Sequence, residues 1–267
     1  MIKVREIICK SILTKSDLAD YTLNCYVGCS HRCLYCYARY MTKFKNYPEN
    51  WGYFVDVKIN APQALTKQLR SLRNVPKEIF MSTVCDGWQP LEAKYRVSRA
   101  CLEILLRAGL NVSILTKSKL ILRDLDLLAK YPKRVRVGMT LTTANLALQK
   151  CLEPYASETS ERLLALKKIE KKGVEIWAFL GPLIPGLTAS KANLEGLFRA
   201  LEGLNLSQIY VDRLNLRWGV LEALRRGLGR YNYSSFFNYT QYCRQLKQDA
   251  QTAAKETNLT QKITFCF

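Results

Sequence analysis

Apolar residues along this chain follow two rhythms that alternate almost from end to end. Short β-branched or alternating runs, the pattern of strands, occur at 23–27, 54–59, 79–83, 112–116, 135–139, 174–180 and 209–214. Between them, apolar positions recur every three or four residues, as on one face of a helix. Ala64, Leu65, Leu69 and Leu72 follow Pro62, a residue suited to a first helical turn. Ala100, Leu102, Leu105 and Leu106 stop at Gly109, and Leu163, Leu164 and Leu166 stop at Gly173. Further helices are expected over 35–44, 122–128 and 194–201. Strand and helix in this order predict parallel strands joined by right-handed crossovers. About six units are counted, too few for a closed eight-stranded barrel, so the expected fold class is α/β, a partial, open (β/α)6 barrel. No Pro/Gly/Ser-rich linker divides the chain. The expected organisation is a core over 1–217 and a helical, aromatic-rich extension over 218–267 packed on it, with Tyr231, Tyr233, Phe236, Phe237, Tyr239 and Tyr242.

Charge and residue usage narrow the chemistry. The 267 residues carry a formal charge of +19, from 41 Lys plus Arg against 22 Asp plus Glu. Such a balance suits a polyanionic partner, either nucleic acid or an anionic membrane surface, although a generally basic proteome or a high-pI route to solubility gives the same count. The basic residues are dispersed, and Lys167, Lys168, Lys171 and Lys172 suit the C-terminal end of a helix. No apolar stretch is long enough to span a bilayer and no secretory leader is visible, so a cytoplasmic protein without membrane partners is expected. The single histidine excludes HExxH metalloprotease sites and two-cysteine, two-histidine zinc fingers. Phosphate-loop, dinucleotide and GxSxG motifs are absent. Ten cysteines in an intracellular chain point instead to metal or redox chemistry.

That chemistry concentrates in one place. Cys29, Cys33 and Cys36 form CxxxCxxC directly after the first predicted strand. Soft thiolates bind zinc, copper(I) or iron–sulfur clusters. Three thiolates in one tight loop suit three irons of a cubane and leave the fourth open. At the C-terminal mouth of a parallel barrel, such a loop stands where these folds do chemistry. Cys25 could complete a four-thiol zinc set, but strand alternation turns it equally well into the core.

With Tyr35 just before its last cysteine, the motif resembles that of the radical S-adenosylmethionine (radical SAM) enzymes. Residues 24–29 and 36–39, Thr116-Lys117-Ser118, Glu153-Pro154 and Gly181-Pro182 are similar to the spore-photoproduct-lyase-like branch, which includes a DNA repair lyase. The resemblance covers roughly residues 1–217 and implies a partial barrel. It also implies a [4Fe-4S] cluster on Cys29, Cys33 and Cys36, with SAM chelating the unique iron and Tyr35 near the adenine. Reductive cleavage of SAM to a 5′-deoxyadenosyl radical, for hydrogen abstraction from substrate, would draw on an electron donor such as flavodoxin or ferredoxin. Lys117 would contact the SAM carboxylate. Asp86 stands where related enzymes bind the methionine amine, and a turn aspartate would look the same. Thr140 and Thr142 end a strand where hydroxyls reach a ribose, or merely favour the strand. Cys85 lies near the position from which the repair lyase returns a hydrogen atom, about two residues out of register when aligned on the aspartate. The alternatives are an RNA-modifying, peptide-maturing or small-molecule enzyme of the same superfamily, and a zinc-stapled nucleic-acid-binding module. Asp212, Arg213 and Asn215 are expected at the mouth, as substrate contacts or an internal ion pair. His31 is expected to shape the cysteine loop.

Overall fold

The computed structural model describes residues 2–44, 47–229 and 238–267. Its main sheet has eight strands: β2 (Leu13–Lys15), β3 (Tyr21–Leu23), β6 (Glu78–Met81), β7 (Asn111–Thr116), β8 (Val135–Leu141), β9 (Glu175–Leu183), β10 (Leu206–Arg213) and β11 (Ile263–Phe265). Their spatial order is β11-β10-β9-β8-β7-β6-β3-β2. All neighbours are parallel except β2 and β3. From β3 through β10 each strand lies beside the next in the sheet's own sequence, so the six expected units wind in one direction. A second, three-stranded sheet joins β1 (Lys3–Ile7), β5 (Phe54–Lys58) and β4 (Tyr26–Val27) in the order β1-β5-β4.

Two expectations are corrected here. The run over 23–27 is two strands in different sheets, because the chain changes sheets at Asn24 and Cys25; the Cys25 carbonyl accepts from Lys58 N at 3.1 Å. The run over 54–59 alternates like the barrel strands but belongs to the second sheet.

The ten helices of the described residues are α1 (Met41–Phe44), α2 (Ala61–Ser71), α3 (Glu92–Tyr95), α4 (Val97–Arg107), α5 (Leu125–Lys130), α6 (Leu146–Leu152), α7 (Thr159–Glu170), α8 (Lys191–Ala200), α9 (Val220–Leu228) and α10 (Tyr239–Lys255). Strand residues one apart divide between the two faces. Ile79, Met81, Val112, Ile114, Val137, Met139, Ile176, Ala178, Ile209 and Val211 form a core with helix residues such as Leu102, Leu105, Leu166, Leu197, Phe198 and Leu246. The intervening residues face the other way, and their contacts reveal the curl of the sheet. Strands β6 and β9 are separated by β7 and β8, so on a flat sheet they would stand about 14 Å apart. Yet the rings of Phe80 and Trp177 lie edge-on at 6.0 Å, and Trp177 meets Tyr210 at 5.3 Å. Gly138, on β8 between them, makes this closure feasible: a Cβ there would fall 2.2 Å from the Trp177 ring. The concave face is thus filled by aromatics near its middle, while its C-terminal rim carries Lys117, Thr140, Thr142 and Asp212. Among the described residues the outer strands β11 and β2 do not pair, so the sheet stays open.

The extension is less purely helical than expected. After α9 and α10 it ends in β11, which adds a parallel strand to β10 through Ile209↔Ile263, Tyr210↔Thr264 and Val211↔Phe265. Tyr239 and Tyr242 lie on α10; Tyr231, Tyr233, Phe236 and Phe237 lie outside the described residues. No helix among the described residues is long and apolar enough to cross a membrane.

Candidate active site at the strand ends

The cysteine loop runs from the end of β4 to a short 3-10 turn at Tyr37–Tyr40. Its backbone is tied down by groups remote in sequence. The Gln89 side chain, fully buried, accepts from Ser30 N at 2.8 Å and donates to the Gly28 carbonyl at 3.3 Å. Leu34 N donates to the Leu152 carbonyl at 2.9 Å, and Tyr155 N to the His31 carbonyl at 3.3 Å. Cys33 and Tyr35 of the loop pack with Leu152, Ile184 and Leu214 and with Val220 and Leu224 of α9. Gln89 had no signal in the sequence, since an isolated glutamine in a turn predicts nothing.

Cys29 and Cys33 are buried and Cys36 is half-buried. Burial drives the Cys29 thiol well above its ordinary pKa; the backbone N–H groups of Asp86 and His31, aimed at its sulfur, work against that rise. Burial likewise pushes Cys33 up to about 12, opposed by the Lys117 ammonium. Amides and a cation directed at these sulfurs favour thiolates once a metal replaces the protons. Among the described residues no three His, Cys, Asp or Glu side chains are arranged around a single metal ion. A cubane asks for a different arrangement, with each thiolate on its own iron, and the three-thiol loop suits that donor set. Cys25 belongs elsewhere: its thiol is buried against Cys101 and Ser98 of α4.

Behind the loop lies a buried polar network. Glu153 accepts from the Tyr35 hydroxyl, from Thr142 Oγ1 at 2.9 Å and from the Arg162 guanidinium. Arg162 also donates to the carbonyls of Ser157 and Thr140, both at 2.8 Å. Neither Glu153 nor Arg162 reaches solvent. Although burial opposes it, the charges of Arg162 and Lys117 hold the Glu153 carboxyl below its ordinary pKa. Glu153 was quoted in the sequence motif without a role, and Arg162 carried no sequence signal at all.

Lys117, the residue after β7, presents its ammonium 5.8 Å from the centre of the Tyr35 ring. Burial disfavours this charge, but Cys33, Glu153 and Asp86 more than offset it, so its pKa stands above the ordinary lysine value. The Asp86 carboxylate is well occupied. One oxygen accepts from Trp88 N at 2.8 Å and Thr116 Oγ1 at 2.7 Å, the other from Lys117 N at 2.7 Å. Asp86 therefore fastens the segment after β6 to the end of β7. His31 Nδ1 lies 3.5 Å from the same carboxylate, and burial lowers the imidazole pKa.

The segment after β6 is stapled by Asn24, whose side chain accepts from Val84 N and donates to Thr83 Oγ1, each at 3.0 Å. This places the buried Cys85 thiol so that it donates to the Tyr26 carbonyl at 3.1 Å, and burial pushes it up to about 12. The Tyr37 hydroxyl donates to the Thr83 carbonyl nearby. At the other side of the rim, Asp212 and Arg213 do not form an ion pair. Asp212 accepts only from Arg213 N, at 2.9 Å, among the described hydrogen bonds, and burial pushes its carboxyl up to about 6. The Arg213 guanidinium turns to the hydroxyl and ring face of Tyr239. Asn215 is exposed beyond the strand.

A winding, parallel, open sheet with a three-cysteine loop at its C-terminal rim defines a partial-barrel enzyme class, and sequence comparison agrees. The sequence model of the radical SAM superfamily matches residues 23–194, and the chain belongs to that superfamily. Its cofactors are accordingly a [4Fe-4S] cluster and SAM. An uncharacterized protein of Methanocaldococcus jannaschii is 37% identical over 174 residues, 65% of this chain and 64% of that protein. An uncharacterized protein of Mycobacterium tuberculosis is 29% identical over 225 residues, 81% of this chain and 66% of that protein. The chain thus spans just under two-thirds of the length of both relatives. Among solved structures, spore photoproduct lyase complexed with a dinucleoside spore photoproduct covers 99% of this chain and 82% of its own, with TM-score 0.72 and 14% identity. A radical SAM methyltransferase from Sphaerobacter thermophilus covers 95% of this chain and 67% of its own, with TM-score 0.54 and 17% identity. At these identities the two structures establish a shared fold.

Proposed function

We propose that Cys29, Cys33 and Cys36 hold the [4Fe-4S] cluster and that the enzyme abstracts hydrogen from a nucleic acid in a lyase-like reaction. The observation that carries this reading is the three-thiol loop clamped at the strand ends with the Lys117 ammonium facing Cys33. When bound, the cluster and SAM together supply a 5′-deoxyadenosyl radical.

The protein's own residues have separate tasks. Lys117 pairs with the SAM carboxylate through a charge-assisted hydrogen bond. Asp86 holds Lys117 in place through its backbone N–H, and its role toward SAM is this positioning. Tyr35, its hydroxyl fixed on Glu153, presents its ring beside the adenine, and Thr140 offers a hydroxyl toward the ribose. Cys85 stays a thiol at neutral pH, because burial keeps its pKa near 12, and so retains the S–H bond a hydrogen-atom donor needs. A nucleic-acid substrate is supported by the charge of +19 and by the fold shared with spore photoproduct lyase.

The test is anaerobic reconstitution with iron and sulfide, followed by measurement of 5′-deoxyadenosine with dithionite and SAM, alone and with UV-irradiated DNA or tRNA. Product from the wild type and none from Cys33→Ala is the expected result. A colourless protein holding one zinc ion and no iron would overturn the reading in favour of a zinc-stapled binding module. Iron loading with turnover only on small molecules or peptides would keep the chemistry and overturn the substrate.

A further inference from the structure

The reaction proposed above consumes an electron that no residue of the chain stores, and this inference rests on that reading. We infer that the outer face of the cysteine loop is the docking surface for an acidic one-electron carrier protein, with Arg32 at its centre. Neighbouring side chains along the loop meet different surroundings. His31 is buried and turns inward to Asp86, toward the rim where Lys117 and Tyr35 lie. Arg32, between Cys29 and Cys33, is half-buried and has other partners: its guanidinium sits 4.3 Å from the ring centre of Tyr53 and 4.7 Å from that of Tyr155, whose hydroxyl accepts from its Nη1 at 3.3 Å. Both tyrosines are half exposed. Arg32 Nε is anchored on the Gly52 carbonyl at 2.9 Å, and the residue adopts a left-handed backbone with φ 56°. A non-glycine residue held in that conformation reflects a surrounding structure that fixes it.

More positive charge gathers around the same loop. Arg39, half-buried, donates to the carbonyls of Cys33 and Leu34 at 3.2 and 3.4 Å, and its side chain lies against the start of α9, where a Cβ at Gly219 would come within 3.0 Å of its Cδ. Helix α9 brings Arg226 there by lying directly on the loop: a Cβ at Gly227 would come within 2.2 Å of the Leu34 side chain. Arg226 is mostly exposed, and its described acidic partner is Glu222 on its own helix. Arg217 stands over the Tyr40 ring at 6.0 Å, beside the half-exposed Trp218.

Position selects the occupant. Electron tunnelling weakens exponentially with distance, so a carrier must approach where the cluster cysteines come nearest the surface. The inner side of the loop faces the residues proposed for SAM and substrate, which leaves the outer side. There a basic surface with flat aromatic rims complements an acidic carrier and steers its encounter. One electron passes from the reduced carrier to the cluster on Cys29, Cys33 and Cys36; the carrier is oxidised by one electron, and no atom or proton is transferred.

The test titrates the reconstituted holoenzyme into dye-labelled flavodoxin and compares wild type with Arg32→Glu and Arg226→Glu. Each charge reversal is expected to weaken binding about tenfold, and wild-type affinity to fall as salt rises from about 50 to 200 mM. Flavodoxin-driven 5′-deoxyadenosine formation should fall in parallel while dithionite-driven formation holds. Should Arg32→Glu lose iron, Arg226→Glu, on the solvent side of α9, decides alone. Unchanged flavodoxin affinity overturns the inference, and so does loss of single-stranded oligonucleotide binding with flavodoxin binding intact. Failure of the radical reading itself would look different, as absence of dithionite-driven product in the wild type.

Discussion

A carboxylate sealed from water persists only where its lone pairs and its charge are matched, and Glu153 meets both conditions through Tyr35, Thr142 and Arg162. The two ions depend on each other. Arg162→Met would leave the carboxylate buried and uncompensated, and Glu153→Gln would strand the guanidinium. Each is expected to cost about 3–5 kcal/mol in urea unfolding, with the double variant recovering a large part. Additive losses would show that the pair is not a unit. This network also measures what a sequence exposes. Glu153 was visible in a motif, but Arg162 stands nine positions on, across a turn and into α7, and neither periodicity nor spacing links the two. Asp212 makes a second prediction. Its folded-state pKa of about 6 lies above the ordinary 3.8, so the folded state retains the proton longer than the unfolded chain. The contribution is therefore absent below the ordinary aspartate range and becomes a cost as pH climbs to about 6, constant beyond. Asp212→Asn should accordingly match the wild-type Tm near pH 3 and exceed it by a growing margin up to about pH 6, as calorimetry across that range would show. A margin independent of pH would mean the carboxyl is not desolvated in solution.

At the scale of elements, the hydrophobic rhythm sufficed for β6 to β10 because the central strands are buried on both faces over most of their length, and such burial writes itself into short, nearly continuous apolar and β-branched runs. The same rhythm does not name a neighbour, which is why 54–59 read as a barrel strand and belongs to the smaller sheet. Short elements left little trace: β11 has three residues, and α6 has seven, among which Leu146 is exposed. Yet β11 completes the sheet beside β10, and α10 packs on α8 with Leu246, Ala250, Ala253 and Ala254 buried. The boundary after residue 217 is thus a change in composition. Ending the chain there would uncover Leu197, Phe198 and the edge of β10. The expected result is insoluble protein, or a soluble fraction whose urea m-value falls well below that of the full chain. A soluble, cooperatively unfolding 1–217 would make the extension an accessory.

For the whole molecule, the charge of +19 was legible from residue counts, but its distribution was not. Dispersed arginines such as Arg32, Arg39 and Arg226 converge only because the loop and α9 are brought together by folding. The cysteine motif, by contrast, was plain in the sequence, since its three thiols lie within eight consecutive residues, Cys29 to Cys36. If the substrate is nucleic acid, affinity for a single-stranded oligonucleotide should fall steeply between about 50 and 200 mM salt, and fluorescence anisotropy would measure it. A flat response would favour an uncharged substrate.

The remote supports of the cysteine loop also impose an order in time. The three thiols are synthesised early, whereas Gln89, Leu152, Tyr155 and finally Gly227 arrive later. At about 5–20 residues per second, roughly 200 residues separate Cys29 from the helix that lies upon its loop, an interval of about 10–40 seconds. Throughout it the thiols stand on a nascent chain without their shelter, open to oxidants and metal ions alike until α9 is made.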